Sequence, residues 1–182
     1  MGTGCEYTCS SCGYVLEITE GIGMLHSPEH VFHGYDGKPF LLSLIKSERI
    51  RKKVSGLLAA GAQPAALEYP EKEYSENLDD PGVSKYAQPH DYGYEVYACP
   101  KCNRVSNLYY FKLTTPDGDY EPDYKCSKCK TMLQHAELKD HCTDDGRFIE
   151  IRFEDGHKAG WKCPKCSCDK IEKGGTIMIL WD

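Results

Sequence analysis

Apolar residues recur at helical spacing in one stretch of the chain. Ile50, Val54, Leu57 and Leu58 fall at i, i+4, i+7 and i+8, which makes one stripe of a helix whose other face is charged. Gly61 stands where a C-cap glycine belongs. A shorter helix is predicted over Pro28 to Phe32, with Ser27-Pro28 as N-cap and first helical position and Gly34 as its end. Elsewhere the pattern is that of short strands. From Arg104 to Leu113, the residues Val105, Leu108, Tyr109, Tyr110 and Phe111 read as a strand, and Pro116-Asp117-Gly118-Asp119 as a turn. Phe148 to Phe153 reads as a second strand, Asp155-Gly156 as a turn and Trp161 as part of the return. A further strand is expected within 5 to 22.

Between these elements, residues 62 to 93 carry Pro64, Pro70, Pro81 and Pro89 among Glu, Asp and Tyr, with Asp79-Asp80-Pro81-Gly82 as a turn signal. This reads as an extended loop, either draped over the surface by its Tyr side chains or serving as a linker.

Four Cys-x-x-Cys pairs punctuate the pattern: Cys9-Ser-Ser-Cys12-Gly13, Cys99-Pro-Lys-Cys102, Cys126-Ser-Lys-Cys129 and Cys163-Pro-Lys-Cys166. Two intervening residues let the chain turn back so that both sulfurs reach one ion, while nearby backbone N–H groups hydrogen-bond the thiolates. Each pair supplies two ligands, so the knuckles must combine. Cys99, Cys102, Cys126 and Cys129 enclose the predicted strand and turn, a knuckle, hairpin, knuckle unit of zinc-ribbon spacing. Cys9, Cys12, Cys163 and Cys166 then form a second site that ties together distant parts of the chain. The rival is sequential pairing, Cys9/Cys12 with Cys99/Cys102 and Cys126/Cys129 with Cys163/Cys166; the hairpin before the last knuckle supports it.

Composition narrows the chemistry. The chain has 182 residues, 40% of them hydrophobic, a figure that includes 13 Tyr, so metal staples are expected to supply stability that packing does not. The amino terminus has neither a basic nor an apolar leader region, and no run approaches the ~18 apolar residues of a membrane span. Eleven cysteines, an odd number, in such a chain favour metal thiolates in a reducing compartment over disulfides. A cytoplasmic location is the expectation. Formal charge is −6 with every Cys neutral; two Zn²⁺ in sites of four thiolates take it to about −10. Such a balance opposes general affinity for nucleic acid.

Other chemistries compete with zinc. Redox-active pairs of the thioredoxin type lack a βαβ context here. Iron in a rubredoxin-like site shares the tetrahedral thiolate geometry and stands as an alternative. Cys5, Cys142 and Cys168 are left over and read as buried or free thiols, although Cys166-Ser-Cys168 is close enough for ligand exchange. His26, His30 and His33 cluster near the short helix without the Glu of a His-Glu-x-x-His motif, and read as solvated. Lys46, Arg49, Arg51, Lys52 and Lys53 form the strong basic cluster, either a phosphate-contacting face or a solvated one opposite the apolar stripe. Tyr92, Tyr94, Tyr97, Tyr109 and Tyr110 offer stacking surfaces or strand packing. No catalytic triad, phosphate-binding loop or paired-carboxylate motif is legible, and Gly21-Ile22-Gly23 alone is weak.

The segment Tyr7-Thr-Cys9-Ser-Ser-Cys12-Gly13-Tyr14, followed by Gly21-Ile-Gly-Met-Leu25, together with a Cys-x-x-Cys running into Ile177-Met-Ile-Leu-Trp181-Asp182, resembles a family of uncharacterised bacterial zinc-ribbon proteins with rubredoxin-type knuckles. The resemblance spans the knuckles and both ends, not 27 to 93. It implies zinc and no particular activity.

The expected fold class is α+β, with zinc ribbons of short antiparallel strands and one or two inserted helices. The expected division places terminal strands and knuckles in 1–26 and 136–182, a helical insertion and loop in 27–93, and a ribbon in 94–135. The expected function is a zinc-binding scaffold, holding two ions, that presents a surface to a protein partner. A nucleic-acid-binding ribbon and an iron electron carrier are the alternatives.

Overall fold

Antiparallel pairing dominates the structure because the chain turns back on itself at its cysteine pairs and glycine turns. The computed structural model describes residues 3–21, 29–34, 37–65, 92–143 and 146–177. The strands, numbered in chain order, are β1 Thr3–Cys9, β2 Val15–Glu20, β3 Gln63–Pro64, β4 Tyr92–Ala98, β5 Val105–Phe111, β6 Leu113–Thr115, β7 Gly118–Tyr120, β8 Gln134–Thr143, β9 Gly146–Phe153, β10 Lys158–Gly160 and β11 Ile171–Ile177. The helices are α1 Leu41–Leu44 and α2 Glu48–Ala59, with a π-helical turn at Glu29–His33.

The expected α+β class is therefore wrong. Among the described residues 46% lie in strands and 15% in helices, and the strands form three antiparallel sheets. The helical pattern at Ile50 to Leu58 is real, but it yields one helix of 12 residues and a preceding single turn of four. Strands whose order comes from their partners leave no comparable pattern in the sequence. β8 carries Glu137, Lys139, Asp140 and His141, too polar to declare itself, yet it pairs along its length with β9, from Ala136↔Phe153 to Thr143↔Gly146.

The sheets run β11-β1-β2, β10-β9-β8-β4-β5 and β3-β6-β7. In the first, β11 lies against β1 in antiparallel register from Cys9↔Ile171 to Gly4↔Ile177, joining segments far apart in sequence. A bridge between Gly21 and Tyr94 connects this sheet to the second. Along β9 the period of two is plain: Ile149, Ile151 and Phe153 are buried while Phe148 is exposed.

Two apolar clusters follow. One packs α1, α2 and the π-helical turn against β4, β5 and β6, around Val31, Leu41, Ile50, Val54, Phe111 and Leu113. The other lies beneath the first and last knuckles, around Tyr7, Ile18, Val96, Ile149, Ile151 and Trp161. Tyr7 and Trp161 meet edge to face at 5.1 Å.

α2 follows its sequence signals: Ser47 Oγ accepts from Ile50 N at its start, and Ile50 and Val54 are buried. The predicted short helix appears as the π-helical turn, closed by Gly34 N donating to His30 O at 3.0 Å. Ser27-Pro28, His26 and the Asp79-Asp80-Pro81-Gly82 turn lie outside the described residues, as do positions 66–91 of the Pro/Tyr-rich segment.

Candidate metal centre

The four knuckles are one local structure built four times. In each, the carbonyl of the first cysteine accepts from the N–H four residues on: Gly13 to Cys9 at 2.8 Å, Asn103 to Cys99 at 2.9 Å, Lys130 to Cys126 at 3.0 Å and Ser167 to Cys163 at 2.8 Å. The first cysteine then donates its own N–H to the carbonyl one residue further, on Tyr14, Arg104, Thr131 or Cys168, at 2.8 to 2.9 Å. Closing so tight a turn forces the residue after the second cysteine into the left-handed region. Gly13 has φ 66°, Asn103 54°, Lys130 60° and Ser167 63°.

This turn splits each pair by depth. Cys9, Cys99, Cys126 and Cys163 are buried at 2% exposure or less. Cys12, Cys102 and Cys129 are half-buried, and Cys166 is exposed. Strand ends aim the sulfurs: Cys9 closes β1, Cys99 follows β4, Cys126 follows the Lys125↔Met132 bridge, and Cys163 lies between β10 and β11.

The structure gathers the cysteines in the nested arrangement, not the sequential one. Cys99, Cys102, Cys126 and Cys129 form an internal group, and Cys9, Cys12, Cys163 and Cys166 a terminal group; within each, all sulfurs lie within 4.8 Å of one another. In the internal group, Cys99 to Cys129 is 3.3 Å, Cys102 to Cys126 is 3.6 Å and Cys102 to Cys129 is 3.9 Å. In the terminal group, Cys9 to Cys166 is 3.7 Å and Cys12 to Cys163 is 3.5 Å. Four sulfurs at ~2.3 Å from a tetrahedral ion sit ~3.8 Å apart. Both groups therefore fit a metal ion of that geometry.

Electrostatics differ from thiol to thiol within each group, with Cys129 and Cys163 lowered and Cys9, Cys99, Cys102 and Cys166 raised. The Thr131 hydroxyl beside Cys129, helped by the Thr131 backbone N–H, pulls that thiol down to about 6. At Cys163 burial pushes upward, but N–H groups of Cys166 and Lys165 outweigh it and bring the thiol to about 7; Lys165 N lies 3.4 Å from the sulfur. Cys99 goes the other way, raised by burial to about 12. Four crowded thiolates repel one another, and a dication offsets that repulsion.

The two groups touch through side chains that sequence reasoning did not single out. Arg104 Nη2 donates to Pro164 O at 3.0 Å and Asn103 Nδ2 to Gly160 O at 3.3 Å, so the second knuckle and the last are clasped together. Arg104, Thr131 and Cys168 all occupy the fifth position after a first cysteine. That register is visible in the sequence once the knuckle's hydrogen bonds are known.

Other expected features resolve differently. Among the described residues, only the two cysteine groups bring metal-binding atoms together in this way; His30 stacks on Phe40 at 4.7 Å, and His33 is exposed. The basic cluster is largely engaged within the chain. Arg49 pairs with Asp123 at 2.9 Å, Lys52 with Glu48 at 3.0 Å, Lys53 lies over the Tyr120 ring at 4.4 Å, and Arg51 donates to Ile45 O at 2.8 Å. Lys46 is exposed. Tyr97 and Tyr109 are buried, with Tyr124 Oη donating to Tyr109 O at 2.6 Å, so these rings pack the pair β4 and β5. Cys5 is half-buried and Cys142 exposed.

Fold and site together define a β-rich protein with two four-cysteine groups compatible with structural metal binding. Comparison with family models, curated proteins and solved structures returns no match. No helix among the described residues is long and apolar enough to cross a membrane.

Proposed function

We propose that the protein is a zinc-stapled scaffold whose two four-thiolate centres are structural and which acts by presenting its surface to a protein partner in the cytoplasm. The observation that carries this reading is the pair of sulfur tetrads, each set on knuckles of one common geometry. Four protein ligands fill the coordination of each ion, which suits a structural rather than a catalytic role.

The topology gives the staples something to hold. Cys12 and Cys163 are 151 positions apart and Cys102 and Cys126 are 24 apart. In the chain-entropy picture, cross-links closing such loops stabilise by about 5 and about 3.5 kcal/mol respectively. The engaged basic residues of α2 weigh against a nucleic-acid role, in the same direction as the net charge.

Metal analysis of the purified protein is the first test. About two zinc ions per chain and a colourless solution are expected. A red ferric tetrathiolate chromophore with a reversible couple would instead make it an electron carrier, and less than one bound metal overturns the centres altogether. Affinity purification from the native host should recover a stoichiometric protein partner; retention on nucleic acid that salt abolishes would replace that partner with a nucleic acid.

A further inference from the structure

We propose that Cys168 is a fifth thiol of the terminal centre, a reserve zinc ligand that takes the vertex held by Cys166. The inference rests on the metal reading above and concerns how one of its two centres is built.

Cys168 Sγ lies 3.3 Å from Cys9 Sγ and 3.4 Å from Cys166 Sγ, separations as short as those within the tetrads themselves. It is not one of the four mutually close sulfurs. It touches two of them from outside, so it substitutes for a ligand rather than adding to the set.

The Cys126 knuckle of the internal centre shows what a hydroxyl does at this position. Thr131 stands at the same place in its knuckle, with Oγ1 3.3 Å from Cys129 Sγ. A hydroxyl there supports the thiolate by hydrogen bonding and is a poor zinc ligand. A thiol there is a ligand in its own right. Two knuckles of the same backbone geometry thus differ at one functional atom, oxygen in one and sulfur in the other.

Cys166 is the ligand that yields. It is exposed, whereas Cys9 is fully buried and fixed by the pairing of β1 with β11 at Cys9↔Ile171. Cys166 and Cys168 leave the same turn and both face Cys9, so a local rotation of that turn exchanges them. The step is a ligand substitution without oxidation. Cys168 gives its proton to water and bonds zinc, the bond from zinc to Cys166 breaks, and the Cys166 thiolate takes up a proton.

Zinc content of full-length variants tests this. Wild type should hold two equivalents, Cys166→Ala two, Cys166→Ala/Cys168→Ala one, and Cys129→Ala one. A single equivalent in Cys166→Ala, folded or not, overturns the proposal, because a reserve ligand would have kept the second ion. Two equivalents in the double variant also overturn it, since three thiolates then suffice. Fewer than two in wild type would remove the centre itself and is distinguishable from either result. Cobalt(II) substitution gives a second readout: the sulfur-to-metal charge-transfer intensity of Cys166→Ala should equal that of wild type, and a lower intensity counts against Cys168 as ligand.

Discussion

Asn107 and Thr19 clasp the two larger sheets together. Asn107 Oδ1 accepts from Thr19 N at 3.0 Å and from Thr19 Oγ1 at 2.6 Å, and Asn107 Nδ2 donates to Thr19 O at 2.7 Å. The same amide nitrogen also donates to Glu95 O at 3.2 Å. Thr19 is buried, at 6% exposure, so its polar groups have little recourse to water. One side chain of β5 thereby satisfies a donor, a hydroxyl and an acceptor on β2.

Asn107→Leu should cost about 3 kcal/mol, because it strands buried polar groups without partners. Denaturant unfolding with zinc in excess should show a lower midpoint at unchanged slope. An unchanged midpoint would mean that the bridge contributes nothing.

Thr131→Val should weaken zinc at the internal centre by about 10-fold, as loss of an outer hydrogen bond to a ligand commonly does. Without the hydroxyl that pulls Cys129 down to about 6, protons compete better for the sulfur, so the pH midpoint of zinc binding should move up. Thr131→Ser should restore both. Competition with a chromophoric chelator across pH reads the effect, and coincident curves for Thr131→Val and wild type would dismiss it.

Backbone strain at the knuckles predicts opposite outcomes for two small substitutions. Lys130 sits at φ 60°, and Lys130→Gly should gain about 0.5–1 kcal/mol. Gly13 sits at φ 66° with open space where a Cβ would stand, so Gly13→Ala should cost about 1 kcal/mol from conformation alone. Thermal unfolding of the zinc-loaded proteins should order them Lys130→Gly, wild type, Gly13→Ala.

His135 of β8 is paired with Glu95 of β4. Burial lowers its pKa, but the hydrogen bond and charge of Glu95 outweigh this and raise it above the ordinary value. A raised histidine stabilises the fold fully below its unfolded pKa of ~6.5 and loses that contribution as pH rises through the folded value. Glu95→Gln should therefore destabilise by under about 1 kcal/mol between about pH 5 and 6.5, and by less at pH 8. A deficit that grows with pH would reverse the assignment.

The parts of this protein legible in its sequence are those whose signal is local. The Cys-x-x-Cys spacing announces a sulfur turn without a partner in view, and Ile50 and Val54 mark the buried face of α2. Phe148 to Phe153 alternates cleanly. What stayed hidden depends on neighbours. β8 is polar because one face looks outward, and β11 carries Gly174, where an added Cβ would come within 3.3 Å of Glu6 O on β1. Strands of that kind gain order from pairing, so their sequences carry little local signal beside the helical stripe of α2. Ribbon spacing suggests the nested grouping and sequence spacing places Cys168 beside Cys166, while the approach of Cys168 to Cys9 depends on pairing between distant parts of the chain.

The separation of the terminal cysteines also sets a schedule. A ribosome adds about 5–20 residues per second, so Cys102 and Cys126, 24 positions apart, emerge within roughly 1–5 s of each other. Cys12 and Cys163, 151 apart, are separated by roughly 8–30 s. On the proposed reading, the internal centre would acquire its metal first on the nascent chain, and the first knuckle would wait as an open pair of thiols exposed to competing soft ions. On the proposed reading, a shortage of metal would therefore strike the last centre to close, leaving the internal centre finished and the terminal one undone.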